Sequence, residues 1–186
     1  MRILGVTASS ILKVTSSYES IASATGTGSS GTITFSSIPS TYASLQIRIN
    51  GKGAASYNGS EFVLVTANSD TGSNYAYHAL SGYGSGTQAY GYASQTSMAL
   101  GDILQSGASV TSMQSGVIID VHDYASTSKY KTFRSFSGSD RNGGGAATLF
   151  SGLWMSTSAI NSISLVNNTA NWTTSTTISL YGIKGA

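Results

Sequence analysis

Hydrophobic and polar positions alternate over most of the 186-residue chain. Leu45, Ile47 and Ile49 fall on one side of a run whose intervening residues are polar, and residues 117–121 form the most apolar run. A period of two predicts β-strands that bury one face. Clusters of Gly, Ser, Thr and Asn separate these runs. The pattern therefore predicts about ten short strands, at the spacing typical of an antiparallel sandwich or barrel.

The predicted domain organisation is simple. No segment carries the 3.6-residue period of a helix, so we expect one all-β domain over residues 14–186. Residues 1–13 precede it as an arm that is either extended or a short helix. Residues 101–115 are predicted to be a long connection. The glycine-rich stretch 26–31 matches the G-x-G-x-x-G dinucleotide motif, but the residues after it predict a strand, so we interpret it as a loop.

Composition narrows the function classes. Only 9% of the residues are charged, the formal net charge is +2 and there is no cysteine. A charge this small argues against binding nucleic acid by neutralising phosphates, and the missing cysteines exclude disulfides and thiol chemistry. No apolar run is long enough to cross a bilayer as a helix. The chain is rich in Ser, Thr, Gly and Tyr instead of charged residues. This composition favours a protein that works as part of an assembly. We predict partners that are neither nucleic acid nor membrane.

The densest group of ionisable residues is Asp120-Val121-His122-Asp123. On a strand, Asp120 and His122 project to the same face, and with His78 they could form a metal site or an acid–base pair. The alternative is a hydrogen-bonded polar face beside the apolar run.

No local motif pairs two acidic residues, as a glycosidase would require. An enzyme would need carboxylates that converge in a cleft. We therefore predict a protein that is not an enzyme and that uses no cofactor or metal.

The tyrosines of residues 75–92 could form a contact ridge or a platform for sugars, because tyrosine supplies a broad, rigid contact area. Tyr83, Tyr90 and Tyr92 are the candidate surface contacts, expected in Gly/Ser loops. The alternative is that Tyr75 and Tyr77 are ordinary outward-facing strand residues.

Lys129, Lys131 and Arg134, with Arg141 nearby, form the main basic concentration. Lysines on a solvated edge strand block aggregation between sheets, and we interpret this run in that way. A contact with an acidic neighbouring subunit is the alternative.

Several stretches together resemble one family of small virion proteins of tailed bacteriophages, frequent among phages of aquatic and cyanobacterial hosts. They cover roughly residues 18–186 and are YESIA at 18–22, GTITFSSIPSTY at 31–42, LQIR at 45–48, NYAYH at 74–78, IDVHDYA at 119–125, KYKT at 129–132, GLWM at 152–155 and SLYGIKG at 179–185. The resemblance implies a β-sandwich of the jelly-roll type displayed on a phage particle, and it implies no catalytic residue.

From this resemblance we expect a structural protein of the virion, made in the host cytoplasm. The leading hypothesis is a capsid decoration (cement) protein that binds the major capsid protein and itself, as a homotrimer, and stabilises the assembled head. The alternative is a tail- or head-fibre tip that recognises a host surface glycan. The arm is expected to anchor the protein, and its candidate capsid contacts are Arg2, Ile3, Leu4, Ile11 and Leu12.

Overall fold

The computed structural model describes residues 17–107 and 112–185 and confirms the all-β prediction. This part of the chain contains no helix and has twelve β-strands, two more than the sequence predicts. They are β1 (Tyr18–Thr25), β2 (Thr32–Phe35), β3 (Ser44–Gly51), β4 (Ser60–Ala67), β5 (Tyr75–Tyr83), β6 (Gly86–Gln95), β7 (Met98–Leu104), β8 (Ser115–His122), β9 (Lys131–Asp140), β10 (Gly145–Trp154), β11 (Ile163–Asn167) and β12 (Thr177–Ile183).

The strands form two antiparallel sheets. The wide sheet has eight strands in the order β1-β12-β3-β8-β9-β10-β5-β6, and the narrow sheet has four in the order β2-β11-β4-β7. Their inner faces enclose one hydrophobic core, so the chain is a β-sandwich. The alternation that predicts the strands also sets the faces. In β3, for example, Leu45, Ile47 and Ile49 are buried while Arg48 is exposed.

The sequence predicts a short strand over residues 97–100 and a long connection from residue 101, whereas strand β7 continues to Leu104. It runs through residues 101–104 and is buried at every position except Asp102. A strand buried on both sides loses the alternation that identifies half-buried strands, and this is why the pattern gives no sign of the second half of β7. The predicted connection over 101–115 is therefore wrong in its first part.

Strand β7 is also an edge of the narrow sheet, and serine hydroxyls of the wide sheet satisfy its free backbone groups. The Ser135 hydroxyl donates to the Leu100 carbonyl oxygen at 2.6 Å. The Asp102 N–H donates to the Ser137 hydroxyl at 3.2 Å, and the Leu104 N–H donates to Ser115 at 2.8 Å. An edge strand exposes unpaired N–H and C=O groups, and here inward-facing serines pair with them inside the sandwich.

The wide sheet extends beyond the narrow one at the β5–β6 end. On the inner face, Phe150 of β10 and Ala79 of β5 are almost fully buried, whereas Tyr92 of β6 is 51% exposed. The cover supplied by β7 therefore ends near β5. We call the uncovered inner face of β5 and β6 the overhang.

Candidate functional site

A groove lies between the overhang and the end of the narrow sheet. It consists of two adjoining hollows of about 330 and 240 Å³ that share Phe62, Gln88 and Tyr90. The other lining residues come from β4, β5, β6, β7, β10 and the turn before β10, and they are Ser60, Glu61, Tyr77, Ser81, Tyr83, Tyr92, Asp102, Arg141, Gly145 and Ala146.

Four aromatic rings form one wall of the groove. Tyr77 on β5 lies opposite Tyr92 on β6, and their ring centroids are 5.4 Å apart. The Tyr90 ring lies 5.9 Å from that of Tyr92 and 6.4 Å from that of Phe62. Tyr90 has the small Ala79 as its cross-strand partner. Burial, and secondarily the Asp102 carboxylate, raises the pKa of Tyr90 to about 12, so its hydroxyl remains protonated at neutral pH.

Polar groups form the floor. The Thr148 hydroxyl donates to Asp102 Oδ2 at 2.7 Å and lies 2.9 Å from the Ser81 hydroxyl. Burial raises the pKa of Asp102, and the nearby Glu61 carboxylate raises it further, against the effect of the Thr148 hydrogen bond. Glu61 in turn accepts a hydrogen bond from the Tyr57 hydroxyl. Two carboxyl groups therefore line the same groove.

Arg141 enters the groove from the tight turn between β9 and β10. In this turn Asn142 and Gly143 have φ angles of 57° and 102°, in the region that Asn and Gly tolerate best. The Arg141 Nη1 group donates to the Asn58 carbonyl oxygen at 3.1 Å. Its Nε–H group, by contrast, is buried and has no hydrogen-bond partner.

The structure brings the predicted tyrosines together, although not in loops. Tyr90 and Tyr92 lie within β6, and Tyr83 is the last residue of β5. All three line the groove, and Tyr77 joins them. The interpretation of Tyr75 as an outward-facing residue is wrong: it is fully buried in the core.

Among the described residues, the ionisable residues on and after β8 do not form a metal site with His78. Asp120 Oδ1 accepts from the Gln46 side chain at 2.8 Å, and Asp120 Oδ2 accepts from Arg134 at 3.0 Å. Partial burial alone would raise the pKa of Asp120, but these two hydrogen bonds and the charges of Arg134 and His122 lower it. His78 lies three strands away, on β5, or about 14 Å at ordinary strand spacing. Within residues 17–107 and 112–185, no three His, Asp or Glu residues are grouped as metal ligands would be.

The edge-strand interpretation of the basic run is wrong. Strand β9 lies between β8 and β10 in the interior of the wide sheet. Lys131 is fully buried, and its Nζ donates to the carbonyl oxygens of Lys129 and Ser156 at 2.6 and 3.2 Å. Burial lowers the pKa of Lys131. Lys129 precedes the strand and pairs with Asp123.

The predicted arm contacts Arg2, Ile3, Leu4, Ile11 and Leu12 lie outside the residues that the structure describes.

A second surface, which the sequence did not single out, lies on the outer face of the wide sheet. Ile118, Phe136, Leu149 and Leu80 occupy neighbouring positions on β8, β9, β10 and β5, and each is about half exposed, from 45% to 54%. We call these four residues the apolar row. Beside it, two positions along each strand, lies a row of small residues that consists of Gly116, Gly138, Ala147 and Gly82.

The amino-acid sequence gives only a weak indication of the apolar row. Apolar residues occupy both parities of β8, as in Val117-Ile118-Ile119, and β10 likewise has Leu149 beside Phe150. Such a run also fits a strand buried on both faces. Glu61, Asp102 and Arg141 carry no local motif at all, because the fold alone brings them to one groove.

In comparisons with known proteins, no family model, no curated protein and no solved structure matches the chain. The resemblance to phage virion proteins therefore stays a prediction. Within the described ranges, no helix has the length and apolar character to span a membrane.

Proposed function

We propose that the chain is a structural virion protein of a tailed bacteriophage, a decoration protein that binds the major capsid protein on the assembled head. The strand order supports the expected jelly roll. The sets β1-β12-β3-β8 and β2-β11-β4-β7 correspond to the two four-stranded sheets of such a fold. The hairpins β5–β6 and β9–β10 are then insertions that widen one sheet.

The observation that carries this proposal is the apolar row. Three of its four residues, Leu80, Phe136 and Leu149, lie on the two inserted hairpins. An exposed patch of large apolar side chains on an otherwise polar surface is typical of a protein–protein contact. The charged pair beside the row, Asp120 and Arg134, is already joined by a salt bridge, so docking leaves no unpaired charge there.

The mechanism is one of assembly. A protein that binds the closed shell but not its free subunits stabilises the shell by mass action. Neutral hydroxyl groups can bond to capsid subunits with little desolvation cost compared with charges. In this proposal the protein acts on the virion after synthesis in the host cytoplasm. Copies associate as a homotrimer, and the arm adds an anchoring contact.

The test is binding to undecorated heads of the encoding phage. The double variant Phe136→Thr/Leu149→Thr is expected to cosediment with heads at least tenfold less than the wild type. The control variant Tyr130→Thr changes a 53%-exposed ring outside the row and is expected to bind normally. Full occupancy by the double variant would contradict docking through the apolar row.

A second candidate function is recognition of a host surface glycan by a tail- or head-fibre tip. The aromatic groove of the overhang favours it. Cryo-electron microscopy of the whole particle distinguishes the two functions. Copies over the entire shell would support decoration, whereas a few copies at a tail or fibre tip would support adhesion.

A further inference from the structure

We propose that the groove of the overhang binds neutral hexose units of a polysaccharide, with one pyranose ring stacked on the exposed ring of Tyr92. The inference rests on the second candidate function and assigns its site and ligand class. It needs the glycan recognition of that function but not its location at a fibre tip.

The aromatic wall supplies the stacking surface. A pyranose ring has a face of C–H groups that packs on the negatively charged face of an aromatic ring. Tyr92 is 51% exposed, and it is held by Tyr77 on one side and Tyr90 on the other at centroid distances of 5.4 and 5.9 Å. Rings that already support one another lose little conformational entropy when a ligand binds.

The floor supplies directional hydrogen bonds next to that wall. Arg141 lines the groove, and its guanidinium group can donate to a sugar hydroxyl through N–H groups other than the buried Nε–H. Asp102 can accept from a hydroxyl, because Thr148 is the only hydrogen-bond donor that its side chain has among the described residues. Gln88 is exposed at the junction of the two hollows and can donate or accept. Neighbouring donors and acceptors of this kind match the hydroxyl groups of a hexose.

Charge and size define the ligand class. The carboxyl groups of Glu61 and Asp102 line the groove, so an acidic sugar would meet like charge at the floor. The hollow of about 330 Å³ falls at the small end of the range for ligand sites, and the adjoining hollow of about 240 Å³ falls below it. They suit a short stretch of a neutral chain that enters and leaves through the open side.

The experiment is isothermal titration of the full chain with three neutral probes, maltohexaose, cellohexaose and mannohexaose, and with hexagalacturonate as the acidic probe. At least one neutral probe is expected to bind more tightly than the acidic one. Tyr92→Ala is expected to weaken that binding fivefold to tenfold, in line with the usual contribution of a single aromatic contact. Its control is Tyr130→Ala, because Tyr130 is equally exposed, at 53%, and lies outside the groove.

A second pair of variants tests the floor independently of the aromatic wall. Arg141→Lys keeps the charge and removes the planar set of guanidinium donors, and it is expected to weaken binding at least threefold. Its control, Arg134→Lys, lies on the outer face and is expected to bind as the wild type does. Melting temperatures of all four variants establish that each is folded.

The possible failures separate the two levels of the proposal. If a neutral probe binds and neither Tyr92→Ala nor Arg141→Lys weakens its binding, the groove is not the binding site, although glycan recognition stands. If hexagalacturonate binds more tightly than the neutral probes and Tyr92→Ala weakens its binding, the ligand class is wrong while the groove remains the binding site. No binding of any probe at millimolar concentration would overturn this inference and count against the second candidate function.

Discussion

The covered and uncovered parts of the wide sheet use tyrosine in opposite ways. Under the narrow sheet, Tyr75 is fully buried, its hydroxyl donates to the Asp70 carbonyl oxygen at 3.0 Å, and its ring stacks on Trp154. In the overhang, Tyr77 and Tyr92 contact each other, and Tyr92 remains half exposed. These residues lie on the same face of neighbouring strands. The position of the narrow sheet's edge therefore decides whether a ring is buried in the core or remains exposed in the groove.

The sharpest test of this contrast compares two truncations. Tyr75→Ala is expected to lower the free energy of unfolding by about 3–5 kcal/mol, because it leaves a cavity in the core and unpaired polar groups. Tyr92→Ala is expected to lower it by less than about 1 kcal/mol. Urea unfolding of both variants measures the difference. Similar losses would show that the overhang is structural.

The next test concerns the carboxyl group that supports the covered end. Asp70 accepts hydrogen bonds from the Trp154 indole at 2.7 Å and the Gly72 N–H at 2.8 Å. Together with Asn74 these donors lower the pKa of Asp70, with Trp154 contributing most. A lowered pKa in the folded state stabilises the protein above the ordinary pKa of 3.8, and this stability is lost as the pH falls through the folded-state pKa.

Asp70→Asn is therefore expected to cost about 1–2 kcal/mol near neutral pH. Urea titrations repeated at decreasing pH should show the variant and the wild type converging below about pH 3.8. A cost that is independent of pH would mean that Asp70 acts through shape rather than through its charge.

The contribution of Asp102, at the uncovered end, to the free energy of unfolding should change with pH in the opposite direction. Burial and Glu61 raise its pKa, so the charged form is less favourable in the folded protein. The resulting stability is fully present below the ordinary pKa of 3.8 and is lost as the pH rises through the folded-state value. Asp102→Asn is expected to raise the free energy of unfolding by ~0.5 kcal/mol at neutral pH and to have no effect at low pH. A destabilised variant at neutral pH would contradict this.

The smallest expected effect is on the outer face. Phe136 is 52% exposed, whereas Phe133 on the same strand is fully buried. Phe136→Thr keeps a side chain suited to a strand and is expected to change the free energy of unfolding by less than about 0.5 kcal/mol. Phe133→Thr, measured in parallel by thermal unfolding, is expected to cost several kcal/mol. If Phe136→Thr is as costly, the apolar row supports the fold rather than docking.

The sequence predicts the strands well because most of them are half buried. Alternation identifies β3 with the correct inner face, and glycine and asparagine predict a turn within residues 140–145. It fails for the second half of β7, where burial removes the alternation, and for Lys131, whose charge suggests exposure. The carbonyl oxygens of Lys129 and Ser156 and the Trp154 ring 5.9 Å away accommodate the buried ammonium group, and no local pattern encodes them.

The candidate site is predictable only in part, for a related reason. Tyr90 and Tyr92 stand out by residue type, and β-pairing brings in Tyr77. Asp102 and Thr148 meet across 46 positions of the chain, at a place set by how the two sheets are offset. That offset is a property of the whole sandwich and cannot be read from any one segment.

The serines that pair with β7 have a consequence for how the sandwich can move. Their bonds fall at Leu100, Asp102 and Leu104, every second residue along one strand. Sliding the narrow sheet along the wide one would break all three together and set apolar side chains against the hydroxyl groups. Apolar contacts alone would permit such sliding at little cost in free energy, but these three hydrogen bonds allow a single alignment of the two sheets. The groove's width, which that alignment fixes, should therefore vary little from one molecule to the next.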